Sequence, residues 1–118
     1  MTLKILFTVR RIYFDQIVPG TKTAEVRRAS EYWKAITGQI EKALNNADHV
    51  IAVFVCGKES HWRTIRGVER FETAYEALGR EPSEQGKKDI GEGAVIRFNL
   101  ADDVTPAEVF DAKPAGNK

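Results

Sequence analysis

The segment GTKTAEVRR, residues 20–28, places a glycine ahead of two threonines, a glutamate and three basic side chains. Lys22, Glu25 and Arg27 are residue types suited to holding an anion. Arginine offers a planar fork that matches phosphate or a base edge, and lysine offers a point charge. A glutamate between them could orient both cations, or accept a proton from a base amino group or a ribose hydroxyl. Three origins fit the pattern: a solvated strand end, an ion-pair network pinning a strand to a helix, or an anion site.

Spacing sets a geometric condition. Glu25 and Arg27 are two apart and share one face of a strand. Lys22, three from Glu25, joins them only if it still lies in the turn after Gly20. Once convergent, opposite charges favour the charged forms of Glu25 and Lys22. A charged lysine is a poor nucleophile or base, because catalytic lysines need desolvation or a cationic neighbour. It suits binding a phosphate or polarising a carbonyl.

Other candidates lie outside the segment. Arg10 sits at a strand-to-helix junction, where it could add a phosphate contact or be an exposed helix start. Trp62 and Arg63 follow CGKES in an expected loop. Trp62 could stack on a base, worth about 1–3 kcal/mol where this occurs, or fill the core of an alternating strand. His61 could shuttle protons or be a solvated loop residue. Two histidines and one cysteine without paired spacing predict no metal site. Glycine-rich phosphate loops are absent from the sequence, and no cofactor is expected.

The elements that must position these residues can be read from periodicity. TLKILFTV alternates as a strand over residues 2–9. Ile12, Tyr13, Gln16 and Ile17 have helical spacing, stopped by Pro19-Gly20. KTAEVRR is a short second strand. Ser30 caps a helix whose apolar stripe runs through Trp33, Ile36, Ile40, Leu44 and Ala47. HVIAVFVCG is the candidate central strand, and HWRTIRGVERF a fourth with Gly67 as a bulge. A short helix around Phe71–Leu78, a polar connection with room for one helical turn, and a last strand AVIRFNL follow. Thr105-Pro106-Ala107-Glu108 has a helix-start pattern. The fold class is α+β, and five short strands could curl into a small barrel that removes exposed edges.

At 118 residues the chain fits one domain able to bury a core unaided. Its 42% apolar and 30% charged content excludes disorder throughout. Cys56 has no disulfide partner and reads as a small buried hydrophobe. Leu3–Val9 is too short to span a membrane, so no membrane association is expected and the cytoplasm is the expected location. Net charge is +1, unevenly spread: residues 1–40 carry seven cations against three carboxylates, and residues 101–118 two against four. A basic first third could steer an anionic ligand toward one face, or the clustering could be chance.

The order strand, short helix, Gly-x-Lys-x-x-Glu-x-Arg, strand resembles the ASCH domain, a family of the PUA-like superfamily. GTKTAEVR matches its signature, YFDQIVPG its leading helix, RGVERFETAYEAL its next strand and helix, and AVIRFNL its closing strand. The resemblance implies a small mixed five-stranded PUA-like β-barrel flanked by helices over residues 1–101, followed by an acidic, partly disordered tail over 102–118. It implies a cleft lined by Lys22, Glu25 and Arg27, with Gly20, Thr23, Arg10, Trp62 and Arg63 as further substrate contacts. The implied ligand is RNA or a nucleotide-like molecule. A small hydrolase, either a ribonuclease or an amidohydrolase of modified nucleosides, is the alternative, with Lys22 and Glu25 catalytic. The ASCH-like amidohydrolases are understood to carry threonine where this chain has Glu25, so their activity does not transfer directly. A protein-interaction domain is the third reading. The long helix from Ser30 to Asn46 departs from the family's short turn after the motif.

Overall fold

A computed structural model describes residues 2–19 and 22–104, with the side chains of 102–104 excepted. Gly20 and the Thr105–Glu108 segment lie outside the described residues, as does most of the expected tail. The elements are β1 (Thr2–Thr8), α1 (Arg11–Ile17), β2 (Ala24–Arg28), α2 (Glu31–Asn45), β3 (His49–Cys56), β4 (Glu59–Phe71), α3 (Ala74–Leu78), α4 (Glu84–Ile90) and β5 (Val95–Val104). No helix among the described residues is long and apolar enough to cross a membrane.

The strands form one mixed sheet in the order β1-β3-β4-β5-β2. β1 runs parallel to β3, and the other three pairings are antiparallel. HVIAVFVC becomes β3, inside the sheet, as its continuous apolar run requires. Gly57, at φ 61°, opens the two-residue turn between Cys56 and Glu59, a conformation glycine adopts without steric cost. The His61-Trp62-Arg63 stretch therefore belongs to β4 and not to a loop. Register shifts between Arg63, Ile65 and Gly67, in the pairing of β4 with β5, form the expected irregularity.

The sheet is not closed into the expected barrel. Among the described residues β1 and β2 are its two edges and do not pair. Side chains occupy the seam instead: the Arg27 guanidinium of β2 donates from Nη2 to the Thr8 carbonyl of β1 at 3.1 Å. The sheet is thus curled far enough for an arginine to span its ends, but the gap remains open.

Two cores flank the sheet. The larger gathers Phe7, Phe54, Phe98, Ile17, Ile40, Ile65 and Ile96, with Trp33 of α2 against it. Phe7 stacks on Trp33 at 5.0 Å and on Phe54 at 5.2 Å. The 15-residue α2, capped by Ser30, lays its apolar stripe here, and Cys56 is partly buried at the margin. The smaller core joins Val26 and Val95 to Ala74 and Ala77 of α3, with Ile90 of α4. Glu25 and Val26 thus point to opposite sides of β2.

Candidate functional site

β2 carries the charged segment, and its alternation sends Glu25 and Arg27 to the same face. Glu25 is buried, at 5% exposure. Arg27 Nε donates to Glu25 Oε2 at 2.7 Å, and its guanidinium carbon lies 5.2 Å from the centre of the Phe7 ring and 5.3 Å from that of Trp33. The planar cation is held by a carboxylate, a carbonyl and two aromatic rings, which leaves it few orientations.

Lys22 precedes β2, in the position the spacing demands. Its N–H donates to the Gln16 carbonyl at 3.0 Å, and its own carbonyl accepts from Arg63 Nη1 at 2.9 Å. The side chain then reaches Glu25 Oε1 at 3.1 Å. Oε1 receives no directed hydrogen bond, so the contact is ionic. Lys22 Nζ also lies 5.0 Å from the centre of the Tyr13 ring, within cation–π range. Lys22, Glu25 and Arg27 therefore converge, with one cation on each carboxylate oxygen.

Beside the trio opens a cleft of about 590 Å³, within the range of small-molecule sites. Thr8, Arg10, Tyr13 and Gln16 form one wall, and Pro82, Gly86 and Asp89 of the α4 region the other. Four cations, Arg10, Lys22, Arg27 and Arg80, face two carboxylates, Glu25 and Asp89. Arg10 grips Asp89 through Nε and Nη2 at 2.8–3.1 Å. This ties α1 to α4 and holds the Asp89 carboxyl below its ordinary value, chiefly through the hydrogen bond from Arg10.

The structure separates the other expected contacts from the cleft. Trp62 is half-buried on β4 and receives the Lys4 ammonium at 5.6 Å from its ring centre; it does not line the cleft. Arg63 is buried, at 5% exposure. It donates to the carbonyls of Ala101 at 2.8 Å, Lys22 at 2.9 Å and Ile17 at 3.4 Å. A guanidinium enclosed in this way supports the site from beneath. Thr23 is exposed, its carbonyl accepts from the Leu100 N–H at 2.9 Å, and it stands outside the lining. Arg10 does line the cleft, but in an ion pair.

Tyr13, Asp89 and the α4 wall were not legible as site features. Tyr13 reads as part of a helical stripe. The helix signals of α4 are present: Ser83 accepts from the Gly86 N–H, Glu84 stands in the first turn, and Lys87 and Lys88 in the last.

The molecule is thus an α+β domain with a charged cleft along an edge strand. No protein-family model matches the chain, and no curated protein matches it. Among solved structures, a mutant of the ZmASCH protein from Zymomonas mobilis is similar, with a TM-score of 0.53 and 15% identity over 93% of this chain and 79% of that one. At that identity the likeness is one of fold, and the ASCH fold implied by the Gly-x-Lys-x-x-Glu-x-Arg segment is the fold of this chain.

Proposed function

We propose that the domain binds RNA or a nucleotide-like ligand in the cleft, with Lys22 and Arg27 receiving the anionic group and Glu25 fixing both. One observation carries this reading. The two cations meet on a single buried carboxylate at the head of a ligand-sized hollow. Preformed cations need little ordering when an anion arrives, and preorganisation favours affinity. Tyr13 also lines the cleft, and the ring face turned away from Lys22 is the surface this reading gives to a base. Single-stranded RNA is the favoured polymer, because its unstacked bases can enter such a hollow. The soluble ligand and the domain meet in the cytoplasm in this reading.

The test is a titration of nucleotides and short single-stranded RNAs at two salt concentrations. Affinity should fall steeply with salt, and Lys22→Ala and Arg27→Ala should each weaken it by about tenfold while circular dichroism shows a folded protein. Full affinity in both variants would exclude the cleft. Cleavage of RNA, or release of acyl groups from modified nucleosides, abolished by Lys22→Ala, would replace binding with hydrolysis.

A further inference from the structure

The cleft runs along the free edge of β2, not over one of its faces. Ala24, Glu25, Val26 and Arg27 all line it, although consecutive side chains point to opposite sides of a strand. Only a hollow facing the strand's edge can meet all four.

The register says which backbone groups that edge presents. Thr23 accepts from Leu100 through its carbonyl, and Ala29 donates its N–H to Ala94. Between them Glu25 pairs with Phe98 and Arg27 with Ile96. In an antiparallel ladder the hydrogen-bonded pairs alternate, so the odd residues turn their N–H and C=O toward β5. Those of Ala24 and Val26 turn outward, where β2 has no neighbouring strand. Arg28 is also outward, but its carbonyl accepts from Ser30 at 2.8 Å.

We infer that the outward N–H and C=O of Val26 read the hydrogen-bonding edge of a nucleobase in the cleft. A donor and an acceptor side by side on one residue match the adjacent acceptor and donor on the Watson–Crick edge of a base. Their neighbours fit the remaining parts of a nucleotide: the Tyr13 ring, on the face turned away from Lys22, for the base face, and Lys22 and Arg27 for the phosphate. An added peptide strand fits less well. The free edge offers two residues with both groups outward, and α1 and α4 wall it on either side. The inference rests on the cleft being the nucleotide site proposed above, and adds the part of the ligand that gives selectivity.

The experiment uses two independent readouts. Wild-type protein is titrated with nucleoside monophosphates, with the same nucleotides methylated on the Watson–Crick ring nitrogen, and with ribose 5-phosphate. Separately, Val26→Pro deletes an N–H that β5 does not use, which edge strands tolerate. Ring methylation of the nucleotide and Val26→Pro should each weaken nucleotide binding about tenfold or more, while ribose 5-phosphate binds Val26→Pro as it binds wild type, which shows that the variant is folded. Equal affinity for methylated and unmethylated nucleotides would overturn the edge contact and leave the nucleotide site standing. Absence of binding by every nucleotide would overturn both. Capture of an extended peptide that Val26→Pro abolishes, with no base dependence, would assign the edge to strand addition and also overturn the inference.

Discussion

The Arg63 guanidinium donates to the Lys22 carbonyl at 2.9 Å and, through the same nitrogen, to Ile17 at 3.4 Å. It thereby fixes both sides of the turn joining α1 to β2. Lys22 reaches Glu25 because the turn beneath it is clamped from β4. Arg63→Ala should destabilise the domain by about 3 kcal/mol, since buried carbonyls would lose a charged donor. Arg63→Lys should not restore stability, because an ammonium lacks the planar fork that spans separated acceptors. Thermal melting decides it: a wild-type melting temperature for either variant would remove Arg63 from this role.

Glu25→Gln should separate stability from anion affinity. Glu25 is the buried counter-charge of both Lys22 and Arg27. Losing one partner of such a cluster costs about 3–5 kcal/mol, lessened here because both cations are partly exposed. The freed cations should bind inorganic phosphate or heparin, which need no fixed geometry, more tightly than wild type, while nucleotide affinity falls because Glu25 no longer positions both cations. Weaker polyanion binding by a folded Glu25→Gln protein would mean that the carboxylate's orienting role outweighs its neutralising one.

Acid should loosen the α4 wall. The Asp89 carboxyl lies below its ordinary value of 3.8 because Arg10 hydrogen-bonds to it. A carboxyl depressed in the folded state stabilises the fold above its unfolded value. That contribution fades as pH falls through the lower, folded value. The bridge should therefore be fully present at neutral pH and weaken in acid, below the ordinary value. Hydrogen exchange across residues 84–90 should rise there in wild type, and Asp89→Asn should show the raised exchange already at neutral pH. Identical profiles for the two proteins would refute the assignment.

Of the two tryptophans, only Trp33 should report on the cleft. Its ring lies 5.3 Å from the Arg27 guanidinium, whereas Trp62 faces Lys4. Nucleotide addition should change tryptophan emission in wild type and in Trp62→Phe to the same extent. Emission that responds through Trp62 alone would restore it to the ligand site.

How much was legible follows from which forces act locally. Alternation marked β1 and β4, a continuous apolar run marked β3, and Ser30 announced α2, because each of these signals is carried by neighbours along the chain. Glu25 and Arg27 were placed together for the same reason: a strand's period of two needs no tertiary partner. The seven-residue α4 is hard to read from the chain, since its sequence, EQGKKDI, carries charge and glycine in place of an apolar stripe.

What only the tertiary structure decided is where each charge is satisfied. Arg27 and Arg63 look alike in sequence, each an arginine in a strand. One is aimed at a cleft carboxylate, and the other is enclosed by three carbonyls from separate segments. The chain by itself specified that Glu25 and Arg27 share a face of β2. The unclosed seam between β1 and β2, the α4 wall and the clamp under Lys22 depend on groups far apart in sequence, because desolvated charges take whatever partners the folded chain brings within reach.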